Sequence, residues 1–387
     1  MVFGISRIDP ISELECQLAS YVETEYAICT SMGRTALLVL LKSIGISTGD
    51  EVIVPAYICE VVPNAVLKAG ATPIFVDINS ENYRISISQL TSLISKNTKA
   101  IIISHTFGYP EDINSIKSIL DKIDKKIYLI EDAAHALGAL YKGKKVGGFG
   151  DAAIISFTKN MANFGGGAIT TNDLKIEANA RKIINGSRSL ATKYALFFGM
   201  LSFFDRYRVN SIVNNSLMKL LEHLPKVIGT AAESYSEELK IPEQKQMSWV
   251  QAYIALIQLK EIDYSNERRD RNRRILDGML AENSKILALN YDYNNIKCAS
   301  TWYVIRLKSS VDMTKILDNC RKHKMYFSAF WDTIPIQQRK YNNLKNIYAL
   351  SNAVNATKST IVFKMGVKLS RRSIQSICDI IREVVIE

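Results

Sequence analysis

Two short apolar runs, each ending on charged side chains, constrain this chain more than any other feature. Tyr128-Leu129-Ile130 stops at Glu131-Asp132, and Ala152-Ala153-Ile154-Ile155 stops at Ser156-Phe157-Thr158-Lys159. Apolar runs without polar alternation read as strands buried on both faces, as a parallel sheet requires. Ligands of such sheets sit beyond the carboxyl ends of the strands. An aspartate at one end and a lysine at the next suit a cofactor with an aldehyde and a basic ring. The lysine amine forms a Schiff base, and the aspartate keeps the ring nitrogen protonated so that the ring accepts electrons. Pyridoxal phosphate (PLP) is a cofactor of this kind.

The rest of the chain supports that sheet. Residues 11–24 carry Ile11, Leu14, Leu18 and Tyr21/Val22 at helical spacing, followed by a short strand, Tyr26-Ala27-Ile28-Cys29. Thr30 to Leu38 is a small-residue turn opening an apolar helix, a place where backbone N–H groups meet a phosphate. Strands are expected at Val52–Val54, closed by Pro55, at Ala71–Asp77 and at Lys99–His105, with helical patterns between them. His105 reads as a satisfied structural polar group. Beyond residue 250 the pattern becomes α+β: a strand at Thr301–Leu307, a helix at Asp312–His323, a strand at Met325–Phe330 and a closing helix at Ser370–Val385. The expected architecture is α/β, with a large domain over 1–250 holding a mostly parallel sheet between helices. A smaller α+β domain spans 251–387.

Composition bounds the function more loosely. The 387 residues are 47% hydrophobic, enough for a substantial core. The net charge of +11 is uneven: from Gln251 onward there are 23 basic against 13 acidic residues, and before it 26 against 25. A basic C-terminal third suits phosphorylated substrates, anionic lipid or nucleic acid, but a solvated surface is the favoured reading, and no nucleic-acid motif accompanies the charge. The cysteines at 16, 29, 59, 298, 320 and 378 form no CxxC pair, and the N-terminus carries no signal pattern. A cytoplasmic setting without a metal site is the expectation.

The Asp132-Ala-Ala-His135 step, Ser156-Phe157, Thr158-Lys159-Asn160 and the Gly165-Gly166-Gly167-Ala168 run together resemble the DegT/StrS-type sugar aminotransferases. These are PLP enzymes of the aspartate-aminotransferase fold, fold type I. The resemblance implies Lys159 as Schiff-base lysine and general acid/base, Asp132 as partner of the pyridine nitrogen and His135 near the cofactor ring. Gly33, Arg34 and Ser156 fall where the family grips the cofactor phosphate. After the Gly-Asp-Glu-Val-Ile-Val-Pro-Ala run from Gly49, the family places a ring-stacking aromatic where this chain has Cys59, with Tyr57 nearby. The family's asparagine that reaches the neighbouring subunit's phosphate has its counterpart at Gln244, or at Gln246. Lysine rather than histidine at 159 favours transamination over dehydration. The resemblance further implies glutamate as amino donor, a nucleotide-linked keto-sugar as acceptor and a homodimer.

Residues 190–240 depart from the family. Tyr194–Phe204 is apolar yet too short to span a bilayer, and Val209 to Leu224 follows an amphipathic helical pattern. Packing against a second subunit or over the site is the favoured reading. Peripheral membrane contact through 194–229 stays open, and with it a lipid-linked or non-sugar carbonyl acceptor. A non-catalytic regulator on the same fold is the third alternative.

Overall fold

The computed structural model describes residues 9–161, 163, 165–185, 246–308, 312–323, 327–331, 333–338, 341, 344 and 348–386. Gln244 and the whole 190–240 segment lie outside the described residues. The strands are β1 (Tyr26–Thr30), β2 (Glu51–Pro55), β3 (Thr72–Val76), β4 (Thr98–Ser104), β5 (Tyr128–Asp132), β6 (Leu140–Tyr141), β7 (Lys144–Lys145), β8 (Ala152–Ser156), β9 (Gly167–Thr171), β10 (Ile286–Leu287), β11 (Ile296–Lys297), β12 (Trp302–Leu307), β13 (Ser328–Ala329) and β14 (Thr360–Lys364). The helices are α1 (Pro10–Val22), α2 (Gly33–Ser43), α3 (Val61–Ala69), α4 (Ile87–Leu93), α5 (Ile113–Leu120), α6 (Leu174–Asn185), α7 (Trp249–Leu259), α8 (Ile262–Leu280), α9 (Met313–Lys322), α10 (Ser351–Ser359) and α11 (Arg371–Ile386).

Local chemistry accounts for the element ends. Asp9 caps α1 by accepting from Ser12 N at 3.2 Å, Pro10 opens the helix, and Leu14, Leu18 and Val22 bury one stripe. The main sheet runs β1-β9-β8-β5-β4-β2-β3. Pairings among β2, β3, β4, β5 and β8 are parallel, whereas β9 runs antiparallel to both β8 and β1. The carboxyl ends of β1, β2, β4, β5 and β8 therefore share one edge with the amino end of β9. All five residues of β8 and of β9 are buried, as continuous apolar runs between two covered faces require.

A buried carboxylate ties the end of β4 and the loop entering β8 to β5. Glu131 is fully buried and accepts from Phe149 N at 2.7 Å, Gly150 N at 2.8 Å and Gly147 N at 2.9 Å. His105 Nε2 completes the set at 3.0 Å. The other ring nitrogen, Nδ1, accepts from Glu111 N at 3.0 Å, which assigns the ring proton to Nε2. His105 is thus the satisfied structural group expected of it. Its backbone N also bonds Asp132 O at 3.1 Å, so one residue joins the ends of β4 and β5.

A second sheet, β10-β12-β14-β13, is antiparallel throughout. It carries its own apolar cluster, which begins at Leu276 and includes Ile305, Ile361 and Ile381. Helix α7 lies past the expected division at 250, yet Ala252, Ala255 and Leu259 join the larger cluster. The strand expected over Met325–Phe330 is confined, among the described residues, to Ser328–Ala329. Phe330 leaves the strand to pack against Phe107. Two contacts fix the segment entering β12. Asn160 Nδ2 donates to Ala299 O, and Ala299 N donates to Gly108 O at 3.0 Å. Asp77 adds a third tie by accepting from Asn352 N and Ala353 N, at 3.0 and 2.8 Å, at the start of α10.

Two stability outcomes follow. Burial alone raises the Glu131 pKa, but the His105 hydrogen bond and backbone donors outweigh it and hold the carboxyl below its ordinary 4.5. The stabilisation is therefore present above 4.5 and lost as pH falls through the lower folded-state value. Glu131→Gln is expected to lose roughly 3 kcal/mol at neutral pH and to show a shallower acid limb in urea titrations at stepped pH. Gly108 has φ +83°, and an added Cβ would lie 2.7 Å from the Ala299 carbonyl carbon. Gly108→Ala is expected to lower the urea midpoint by an amount worth more than about 1 kcal/mol.

Candidate active site

The shared edge collects the residues singled out from the sequence. Asp132 ends β5, Ser156 ends β8, Lys159 follows three residues later, and Gly33 and Arg34 open α2 directly after β1. Cys59 lies between β2 and α3, and His135 in the turn after β5. Asp132 is 8% exposed, and its Oδ1 accepts from Ala134 N at 3.0 Å. Among the described residues it forms no ion pair. Burial raises its pKa above the usual 3.8, against the Ala134 hydrogen bond and the Lys159 charge, which lower it. The Lys159 amine is partly buried and makes no hydrogen bond among the described residues. The centroid of the Trp302 ring stands 5.9 Å from its Nζ.

His135 Nδ1 accepts from Phe107 N at 3.3 Å, leaving the ring proton on Nε2. Enclosure, then the nearby Lys159 charge, brings its pKa down to about 3, so the ring is neutral at physiological pH and Nε2–H is a donor. Burial raises the Cys59 thiol pKa, while Lys159 and Asp132 act on it in opposite senses. Cys59 is partly buried. Tyr57 is 1% exposed and stacked on Tyr83 with centroids 5.4 Å apart, beneath this surface rather than on it.

The glycine run explains how α2 reaches the site. Gly166 N donates to Ser31 O at 2.6 Å and Phe157 N to Gly166 O at 3.1 Å, which links the turn before α2 to the loop carrying Lys159. A Cβ on Gly167 would lie 2.5 Å from Gly33 N, so only glycine lets β9 pass this close. Gln251, fully buried, supports the same turn by donating from Nε2 to Ser31 O at 3.3 Å. Its role was not read from the sequence, although Ser248-x-x-Gln251 is a capping-box pattern, and both of its hydrogen bonds form.

PLP needs a lysine amine, an anion partner for its ring nitrogen and a cradle for its phosphate. The residues present fit it. Among the described residues Asp132 is a buried carboxylate without an ion pair, and Lys159 is an amine without a hydrogen bond that acts on it electrostatically. Met32, at the N-cap of α2, supplies no side-chain hydrogen bond to the first turn of the helix, the end of a helix that favours an anion. Ser156 lies against that turn: a Cβ on Gly33 would stand 3.0 Å from Ser156 Cβ.

The chain is 41% identical over 172 residues to a GDP-perosamine synthase of Escherichia coli O157:H7, covering 43% of this chain and 46% of that one. It is 39% identical over 171 residues to dTDP-3-amino-3,6-dideoxy-alpha-D-galactopyranose transaminase of Aneurinibacillus thermoaerophilus, covering 43% and 46%. The aligned part thus spans about half the length of these curated relatives. A crystal structure of DesV from S. venezuelae superposes with a TM-score of 0.77 over 98% of this chain and 90% of that one. At 22% identity that likeness is one of fold. With residues 5–382 matching its pattern, the chain belongs to the DegT/DnrJ/EryC1/StrS aminotransferase family.

Proposed function

We propose that this protein uses PLP to move an amino group, with glutamate as donor, to a nucleotide-linked keto-sugar. The observation that carries the reading is the meeting of Asp132, Lys159, Ser156 and the start of α2 at one sheet edge. Relatives named for GDP-perosamine and for a dTDP-linked amino sugar support the acceptor class.

When bound, PLP supplies the carbon that carries the amino group and a ring that accepts electrons from the bond being broken. Lys159 holds the cofactor between turnovers and, once released, moves a proton at the substrate carbon. Asp132 holds the proton of the ring nitrogen, and that cation in turn offsets the cost of burying its carboxylate. Gly33 and Arg34 N–H and the Ser156 hydroxyl bind the phosphate. His135 keeps a donor at Nε2 whatever the pH of the assay, and Cys59 packs as a small hydrophobe. Gln244 is assigned to the partner subunit's site in a homodimer. Trp249, Tyr253 and Ile257, each more than half exposed at four-residue spacing on α7, supply an apolar face for that dimer.

The purified protein is expected to absorb at about 400–430 nm and to lose that band on adding glutamate. Lys159→Ala should lack the band and transfer amino groups at least about 10³-fold more slowly; no band after adding PLP would move the reading to a non-catalytic regulator. Asp132→Ala should slow the glutamate half-reaction by about 10²-fold or more in stopped-flow absorbance, and an unchanged rate would remove Asp132 from the site. Light scattering should give twice the 43.4 kDa chain mass, and Tyr253→Glu should lower it.

A further inference from the structure

An aromatic row of the C-terminal unit begins beside Lys159 at Trp302 and continues through Phe330 to Trp331. Trp302, whose ring centroid is 5.9 Å from Lys159 Nζ, meets Phe330 edge-on at 5.1 Å between centroids. Phe330 meets Trp331 in the same way at 4.8 Å. His135 anchors the row from the large unit, 4.8 Å from Trp302 and 5.6 Å from Phe330. Phe107 backs it at 4.7 Å from Phe330 and is itself fully buried. Trp302, Phe330 and Trp331 are only partly buried. Rings that merely filled a core would be covered as Phe107 is.

The distance to Lys159 gives the open surface a use. A base takes a proton only from an atom within about 3 Å, so any carbon served by Lys159 lies nearer to Nζ than the indole does. A ring that contains this carbon extends into the space beside Trp302. Aromatic faces offer broad apolar area and attract C–H groups, but accept hydroxyl hydrogen bonds poorly. A pyranose presents such a C–H face, whereas a small open-chain keto acid does not.

We propose that Trp302, Phe330 and Trp331 form the acceptor wall of the site, reading the C–H face of a pyranose whose carbonyl carbon is presented to Lys159. This rests on the amino-transfer reading above. It divides the work between the two units: the main sheet edge holds the cofactor, and the second sheet selects the acceptor. Trp302 has a fixed place in this arrangement because the Asn160–Ala299 and Gly108–Ala299 hydrogen bonds seat the start of β12 against the lysine loop.

The test separates donor from acceptor. GDP-perosamine and the dTDP-linked 3-amino-3,6-dideoxygalactose serve as probes, binding in the reverse direction. In a Lys159→Ala background, calorimetry should show affinity for one of them falling about tenfold with Trp302→Ala and about threefold or less with Trp302→Phe. With Lys159 intact, Trp302→Ala should slow the glutamate half-reaction by a clearly smaller factor than that by which it weakens amino-sugar binding. Trp331→Ala should behave likewise. Unchanged sugar affinity, or equal losses for glutamate and sugar, would overturn the wall while leaving amino transfer in place. A protein that reacts with glutamate but binds neither amino sugar would overturn the sugar acceptor, and the wall with it.

Discussion

The buried Glu131 carboxylate is the interaction on which the site depends. Three backbone N–H groups and one imidazole converge on it, from the turn into β8 and from the end of β4. Without that side chain those donors would lose their partner, at about 1–3 kcal/mol for each one left buried. Because Glu131 and Asp132 are adjacent on β5, they point to opposite faces of the strand. One fastens the end of β4 and the loop entering β8 to β5, and the other is the carboxylate proposed to meet the cofactor. The anchoring of the scaffold and the placement of the reactive carboxylate are thus set by a single dipeptide.

The antiparallel insertion of β9 has a comparable effect. Had β9 been parallel, its amino end would lie at the opposite edge, away from the strand ends that carry Asp132 and Ser156. Running backward, it brings Gly165, Gly166 and Gly167 to the same edge as the start of α2. The turn before α2 and the loop carrying Lys159 are then held by hydrogen bonds to one short glycine run instead of each needing its own support.

Much of this was legible in the chain itself. The apolar runs ending at Asp132 and Lys159 gave the strands and the edge, because period and burial are local properties of sequence. The glycine run marked a close approach, though not what approached. Gln251 and the aromatic row were not legible, since both depend on partners far along the chain. Gln251 meets Ser31 across 220 positions, and His135 meets Trp302 and Phe330 only after the second sheet docks. Cys59 read as a departure in a cofactor slot, and the structure places it near Lys159 and Asp132 as a partly buried thiol. The division expected at residue 250 followed a change in pattern, whereas α7 packs with the first core because its apolar side chains meet α1 there.

Asp77 carries a consequence for the order in which the protein is made. Its carboxylate, 4% exposed beside the end of β3, receives N–H donors from residues 275 and 276 positions later. During synthesis the first sheet emerges long before those donors exist, and among the described residues Ile78 N is the donor to that carboxylate meanwhile. Maturation of this edge is therefore deferred until α10 has left the ribosome. A chain halted before residue 353 would carry the cofactor residues on a sheet whose flank is still unsealed.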